Sequence, residues 1–340
     1  MTLHRHPLLL PLLTLFCLIH AAHAFAAQTI TLDNGDRLTG TVERMSDDIV
    51  KFKTGYAGTI SIEWKKVREI RSDDEPMHVR LTGNGTIPVK SIIRNGDRIL
   101  LDQQSEPAMN VSQINPDDWE TGKAARLSGE VGLSFKLDRG NTHENRSDIA
   151  THLEWKKLKH RVRLAGELEY YKTDGTEIQN RWTVGTTYDN HFSKNLYYGA
   201  SASLKRDRMT DLDLRWTAGP YFGWNIVNNN RTKLSVENGL EYTSEEYLSR
   251  SNESFISDAW RMDFNYFIIP GKLELYHRNK GLVSLANAGG LSFDTWSGLK
   301  APIAGGLNTS AELKTSYNGD APEGAVPWDT TYQLKLGYQW

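Results

Sequence analysis

Two serines and two histidines are the first residues in this sequence that could carry nucleophilic chemistry. Ser134, His152, His191 and Ser201 all fall on the polar parity of alternating segments. A hydrolase would need a hydroxyl, an imidazole to take its proton and a polar group to orient that imidazole, gathered on one face. No nucleophile motif surrounds either serine, so ordinary polar positions are expected. Asp207, Asp211 and Asp213 form an acidic cluster of the kind a rim protease or a calcium site could use, but their spacing matches no calcium loop. Ala288-Gly289-Gly290 lacks the lysine and helix that complete a phosphate loop. Cys17 is the only cysteine, and no Cys or His spacing fits a metal site. The expectation is therefore no catalytic, cofactor or metal residues and no enzymatic activity. A barrel enzyme of lipase or protease type is the alternative.

Charge on alternate positions is the stronger signal. Arg161, Arg163, Arg181, Lys205, Arg215 and Lys233 share parity with the polar sides of their segments, as do Glu130, Asp148, Glu154, Glu167, Glu169, Asp207 and Glu237. Opposite charges on neighbouring strands stabilise one another, so these residues are expected to form ion-pair ladders inside a sheet structure.

The elements that would position them are strands of period two. In the terminal segment Thr330, Tyr332, Leu334, Leu336, Tyr338 and Trp340 alternate with Thr331, Gln333, Lys335, Gly337 and Gln339. Similar segments recur from Ala125 onward, beginning with Leu127, Val131, Leu133 and Phe135, and they number about twelve. Short connections (Lys157–His160, Ser193–Asn195, Asn228–Arg231, Pro270–Gly271, Ala304–Gly306) alternate with longer ones. The longer ones are Asp138–Asn145, Lys172–Gln179, Arg206–Asp213, Thr243–Glu253, Arg278–Gly290 and Asn318–Trp328. Even strand number, alternating loop length and aromatics near strand ends (Trp155, Tyr170, Trp182, Tyr198, Trp224, Tyr242, Tyr317, Trp340) are the grammar of a transmembrane antiparallel β-barrel. A soluble sandwich would also alternate, with its apolar face inward. Strands of about ten residues, enough to cross a bilayer at a tilt, favour the barrel. A barrel of about twelve strands leaves room for a plugged lumen or a narrow, porin-like channel.

Residues 28–123 read differently, as short β-runs between Gly, Asn and Asp. Ile30–Gly35 resembles Val79–Asn84, Ile49–Phe52 resembles Arg98–Leu101, and Val67–Ile70 resembles Val111–Ile114. Asn34-Gly35 and Asn95-Gly96-Asp97 are hairpin turns by composition. Two tandem SH3-like or Sm-like β-units linked by Asp73–Pro76 are expected, lying in the periplasm and open to a periplasmic partner. Residues 1–24 have the basic start, the apolar run Leu8–Ile19 and the small residues of a signal peptide, with cleavage after 24 or 26. Its removal takes away Arg5, the one counted charge, so the net charge moves from -2 to -3. That near-balance excludes a nucleic-acid protein.

One constellation resembles a known family. Gly129–Phe135 with Arg139-Gly140-Asn141-Thr142, Lys205–Arg208 with Leu212–Trp224, and Asp329 to Trp340 are similar to the salt-induced outer-membrane protein family over residues 125–340. The resemblance implies an outer-membrane β-barrel in contact with outer-membrane lipid and a part in salt or osmotic response. Two residues depart from the usual terminal pattern. Trp340 stands where a terminal Phe is commoner, and Lys335 where Gly often stands. The aromatic alternation is intact, so recognition by the barrel assembly machinery through this strand is expected.

Overall fold

The alternating segments all form strands, and each pairs with the next in the chain. The computed structural model describes residues 28–82, 85–138, 144–286, 290–319 and 326–340. The predicted leader lies outside these residues. The chain divides between Pro116 and Asp117 into two units.

The first unit is a single sheet of eleven strands. They are β1 Gln28–Leu32, β2 Arg37–Ser46, β3 Ile49–Thr54, β4 Gly58–Glu63, β5 Val67–Ser72, β6 Met77–Leu81, β7 Gly85–Val89, β8 Ser91–Asn95, β9 Arg98–Leu101, β10 Gln104–Pro107 and β11 Val111–Ile114. The three sequence repeats occupy equivalent strands: β1 and β6, β3 and β9, β5 and β11. A 3₁₀ turn precedes the last strand of each repeat, at Trp64–Lys66 and at Ala108–Asn110. The repeats are fused rather than strung in tandem. β5 pairs with β8 and β11 with β2, so each repeat lends its last strand to the other. One apolar core, including Ile30, Phe52, Ile70, Val79, Ile99 and Ile114, spans both. Fusion gives each short repeat a larger common core than it could bury alone. Gly35 and Gly96 sit at positive φ in the two expected turns.

The second unit is a closed barrel of twelve antiparallel strands. They are β12 Arg126–Asp138, β13 Glu144–Lys157, β14 His160–Thr173, β15 Thr176–His191, β16 Leu196–Asp207 and β17 Leu212–Asn228. The rest are β18 Thr232–Tyr247, β19 Glu253–Ile269, β20 Leu273–Ser284, β21 Leu291–Ala304, β22 Leu307–Asn318 and β23 Trp328–Gln339. A short helix, α1 (Asp118–Thr121), belongs with the barrel rather than with the preceding sheet. Leu158 in the first short turn donates its N–H to the Trp119 carbonyl at 2.7 Å, and Lys156 lies over the Trp119 ring.

Strands reach 17 residues, longer than a bilayer crossing needs. The expected long connection Lys172–Gln179 is accordingly a two-residue turn. Asp174 and Gly175 both take positive φ (47° and 80°), which matches the twist of a hairpin and lets β14 and β15 run on. Strand pairing continues past the apolar residues at this end because polar side chains leave the backbone ladder unaffected. β20 and β21 are strands of 12 and 14 residues.

Closure follows the predicted parity. Val131 pairs with Tyr338 and Leu133 with Leu336, joining β12 to β23. Tyr332 and Leu334 are 82% and 77% exposed on the outside, while Thr331 and Gln333 are 8% and 7% exposed on the inside. Trp340 extends the seam by exchanging two backbone hydrogen bonds with Gly129, of 3.1 and 3.2 Å. A β-carbon on Gly129 would fall 2.4 Å from the Trp340 ring, so only glycine lets the last residue lie flat there. Among the described residues no helix is long and apolar enough to cross a membrane; the barrel's apolar surface is on its strands.

Candidate functional site

The barrel interior is the candidate site, because period two sends nearly every strand charge there. Eight strands of this kind of sheet are just filled by side chains, whereas sixteen or more leave a water channel. Twelve lie between, so only long side chains reach across. Here Arg and Lys do so, meeting Asp and Glu on distant strands.

Three tyrosines build the wall against which the charges pack. Tyr197 on β16 lies opposite Gly223 on β17, which lies opposite Glu237 on β18. The ring crosses the glycine, and its hydroxyl donates to Glu237 Oε1 at 2.8 Å. Tyr221 does the same in the other direction, crossing Gly199 to reach Asp189. Tyr276 crosses Gly298 and donates to Glu312 Oε2 at 2.8 Å. In each triad the glycine leaves a groove for the ring, and the carboxylate fixes its far end.

At the short-turn end, these carboxylates collect arginines from distant strands. Arg163 on β14 reaches Glu237 at 2.5 Å and Asp189 at 3.3 Å. Arg161 also pairs with Asp189, and its guanidinium lies 4.9 Å from the Tyr197 ring centre. Arg261 on β19 bridges Glu237 at 3.3 Å and Glu241 at 2.5 Å. Asp189 and Glu237 are almost wholly buried.

A second layer lies nearer the long loops. Lys314 on β22 bridges Glu167 at 3.0 Å and Glu169, both on β14. Arg181 holds Glu169 at 2.7 Å and Asp207 at 3.6 Å. Lys205 on β16 reaches Asp294 on β21 at 3.8 Å. The gap bounded by Asp148, Glu167, Trp296, Lys314, Gln333 and Lys335 is only about 10 Å³, at the lower limit for a single water. Breaking one partner of such a buried pair leaves an unpaired charge in a poorly solvated place, which is strongly destabilising.

The ladders expected from sequence are therefore present, with one difference. The expectation placed partners on neighbouring strands, and Arg161–Asp189, Arg181–Glu169, Arg215–Glu245 and Arg261–Glu237 are such directly opposed pairs. Other pairs, such as Arg163–Glu237, Lys314–Glu167 and Lys205–Asp294, span several strands. Arg161, Arg163, Arg181, Lys205 and Arg215 all pair as lumen residues, and Arg215 does so with Glu245 at 2.5 Å. Glu130 pairs with Lys300 at 3.3 Å and Glu154 with Lys156 at 2.7 Å. Lys233 instead is exposed at the turn end over the Phe267 ring. Lys314, Asp294 and the Tyr–Gly–carboxylate triads were not foreseen. A signal for two triads exists in Tyr197-x-Gly199 and Tyr221-x-Gly223, since antiparallel pairing sets each Tyr against the other's Gly.

The residues that could have formed a catalytic group are dispersed. Ser201 Oγ donates to Glu241 Oε1 at 2.6 Å, and His191 packs against Tyr197 with its Nδ1 3.3 Å from the Lys159 carbonyl oxygen. Ser134 pairs in register with Asp148, and His152 with Glu130 and Ala165. Asp207 faces Arg181, Asp213 pairs with Arg206, and Asp211 accepts from Ser249 Oγ at 2.7 Å. Among the described residues no three His, Cys, Asp or Glu side chains are grouped to hold a metal. Of the glycine-rich stretch, Ala288 and Gly289 lie outside the described residues.

The exterior complements this interior. Phe192, Tyr198 and Phe222 cluster at the short-turn end, with ring centres 6.0 and 6.1 Å apart. Phe293, Tyr317 and Trp328 cluster at the loop end, with centres 4.8 to 5.7 Å apart. Leucines, valines and tryptophans lie between the two bands, and this arrangement suits a hydrocarbon layer bounded by two interfaces.

A family model described as "Protein of unknown function, DUF481" matches residues 131–340. The chain belongs to this family. The DUF481 match covers the barrel from the middle of β12 to the terminal Trp340 and leaves the eleven-stranded sheet outside. Solved structures similar to the chain include a NanC porin, with 10% identity, a TM-score of 0.41 and coverage of 63% of this chain and 100% of that one. The translocator domain of autotransporter NalP from Neisseria meningitidis has 12% identity, a TM-score of 0.35 and coverage of 64% and 88%. OmpT of Vibrio cholerae has 10% identity, a TM-score of 0.32 and coverage of 64% and 97%. No curated protein matches the chain.

Proposed function

We propose that this DUF481 chain is an outer-membrane protein whose barrel is a closed, charge-filled structural element of the envelope rather than an open pore. The observation that carries this reading is the crossing of the lumen by Lys205–Asp294 and Lys314–Glu167, at 3.8 and 3.0 Å. An apolar exterior between two aromatic bands supports residence in outer-membrane lipid. Both ends of the barrel chain lie at the short-turn side, the periplasmic side in proteins of this architecture, so the eleven-stranded sheet belongs in the periplasm. There it would hold a periplasmic partner. The terminal strand, ending in Tyr338 and Trp340, serves the assembly machinery as its recognition segment. The sequence resemblance to salt-induced barrels adds a role when external salt changes. Partly buried pairs are screened much less than surface ones, so a lumen held by such pairs would keep its form across that range. The reading includes no enzymatic step.

The test is fractionation followed by gel migration with and without heating. The full chain should appear in the outer-membrane fraction and migrate faster unheated, as a compact barrel resists detergent. A soluble periplasmic product, or identical migration in both lanes, would overturn the membrane reading.

A further inference from the structure

Among the described residues, the outward side chains of the barrel away from its rims are apolar, glycine or hydroxyl-bearing except on three consecutive strands. Asn238 on β18, Asp258 on β19, and His277 and Asn279 on β20 have the outward parity of Leu240, Trp260 and Leu275. Among the described residues they are the outward amide, carboxylate and imidazole side chains at the level of the apolar band. Asp258 is flanked along its strand by Ile256 and Trp260, so it lies within that band.

These groups are only partly satisfied. Asn238 Nδ2 donates to Asp258 Oδ1 at 2.7 Å, and Trp260 Nε1 donates to Asn279 Oδ1 at 2.5 Å. His277 Nδ1 lies 2.8 Å from Ser297 Oγ. Asn238 Nδ2 donates also to the Ala259 carbonyl at 3.3 Å, so the atoms left over are the Oδ1 of Asn238, the second oxygen of Asp258, the amide N–H groups of Asn279 and the Nε2 of His277. In hydrocarbon an unpaired group of this kind costs several kcal/mol. One such group could be tolerated by local hydration, but four together on one wall point to a surface that is covered.

We propose that the β18–β20 wall is the contact surface for a second copy of this chain, resting on the membrane reading above. The choice of partner follows from complementarity. The patch carries acceptors, the Asp258 carboxylate and the Asn238 Oδ1, beside donors, Asn279 and His277, so two copies related by a two-fold axis along the membrane normal satisfy each other. An isologous contact needs that self-complementarity. The Trp260 ring lies flat over Gly281, so closely that a β-carbon there would fall 2.3 Å from it, and this keeps the wall low enough for close approach.

Single cysteines test this in native membranes, in a Cys17→Ser background that removes the only cysteine. Met262→Cys or Val283→Cys, treated with a short bis-maleimide, should give an adduct of twice the chain mass. Leu164→Cys, on an apolar wall elsewhere, should not. Adding Asp258→Leu to Met262→Cys should reduce the adduct about tenfold, a change of about 1.4 kcal/mol, while heat-modifiable migration is retained. A heat-modifiable chain that gives no doubled adduct from either wall, or equal adduct from both, overturns the proposal. An adduct of any other mass also overturns it, because the occupant is then a different protein. Loss of heat-modifiable migration in the parent chain would instead strike the membrane reading.

Discussion

Replacing Glu237 with Leu should destabilise the barrel by about 3–5 kcal/mol, the usual penalty for stranding buried charge. Glu237 is only 3% exposed and accepts from Arg163 at 2.5 Å, Tyr197 at 2.8 Å and Arg261 at 3.3 Å. Without it, Arg161, Arg163 and Arg261 would share Asp189 and Glu241, and Tyr197 would lose the acceptor that holds its ring across Gly223. Denaturant unfolding in lipid or detergent, followed by loss of the fast-migrating form, measures the effect. Glu237→Gln, which keeps shape and an acceptor, should lose less. Pairing Glu237→Leu with Arg163→Met should recover much of the loss, since removing both partners avoids the unpaired charge. A loss below about 1 kcal/mol for Glu237→Leu would mean that these pairs behave like solvated surface ones, and the filled-lumen account would fail.

Gly223→Val should have an effect of similar size through shape instead of charge. A β-carbon at Gly223 would fall 2.2 Å from the Tyr197 ring. That ring is fully buried and tethered by its hydroxyl, so it has nowhere to move. Overpacking costs about 1–3 kcal/mol in adaptable cores and more where relief is blocked. The expected outcome is little or no heat-modifiable protein in the outer-membrane fraction. Gly132→Val is the matched control, because the nearest atom to its added carbon is 4.0 Å away. Tyr197→Ala should partly restore Gly223→Val by vacating the groove. Equal assembly of the Gly223 and Gly132 variants would show that the triads are incidental.

Local pattern explains why much of this fold is legible in the sequence. Parity alone assigns Tyr332, Leu334 and Leu336 to the outside and Thr331 and Gln333 to the inside, because a strand has only two faces. That Val131 meets an outward residue of the last strand follows from the same rule once the strand count is even, although its choice of Tyr338 is set by closure. Asn34-Gly35 and Asn95-Gly96 mark their turns through glycine's freedom at positive φ. Asp174-Gly175 carries the same signal but is masked by polar neighbours, Lys172 to Gln179, that read as loop. The transverse pairs are different in kind. Which strand Lys314 faces across the lumen depends on barrel radius and strand stagger, properties of closure that no segment contains. The fusion of the amino-terminal repeats is likewise invisible locally, since β5 has the same sequence whether it completes its own repeat or pairs with β8. Serines and histidines are uninformative for a related reason: a polar parity supplies candidates for any site, and the partners of Ser201 and His191, Glu241 and the Lys159 carbonyl, are visible only in the folded barrel.

Current through single molecules of the full chain tests the central claim most directly. Protein verified as heat-modifiable, placed in a planar bilayer, should insert without stable ohmic steps, because Lys205–Asp294 and Lys314–Glu167 close the lumen. Regular, lasting conductance steps from that same protein would contradict a closed barrel.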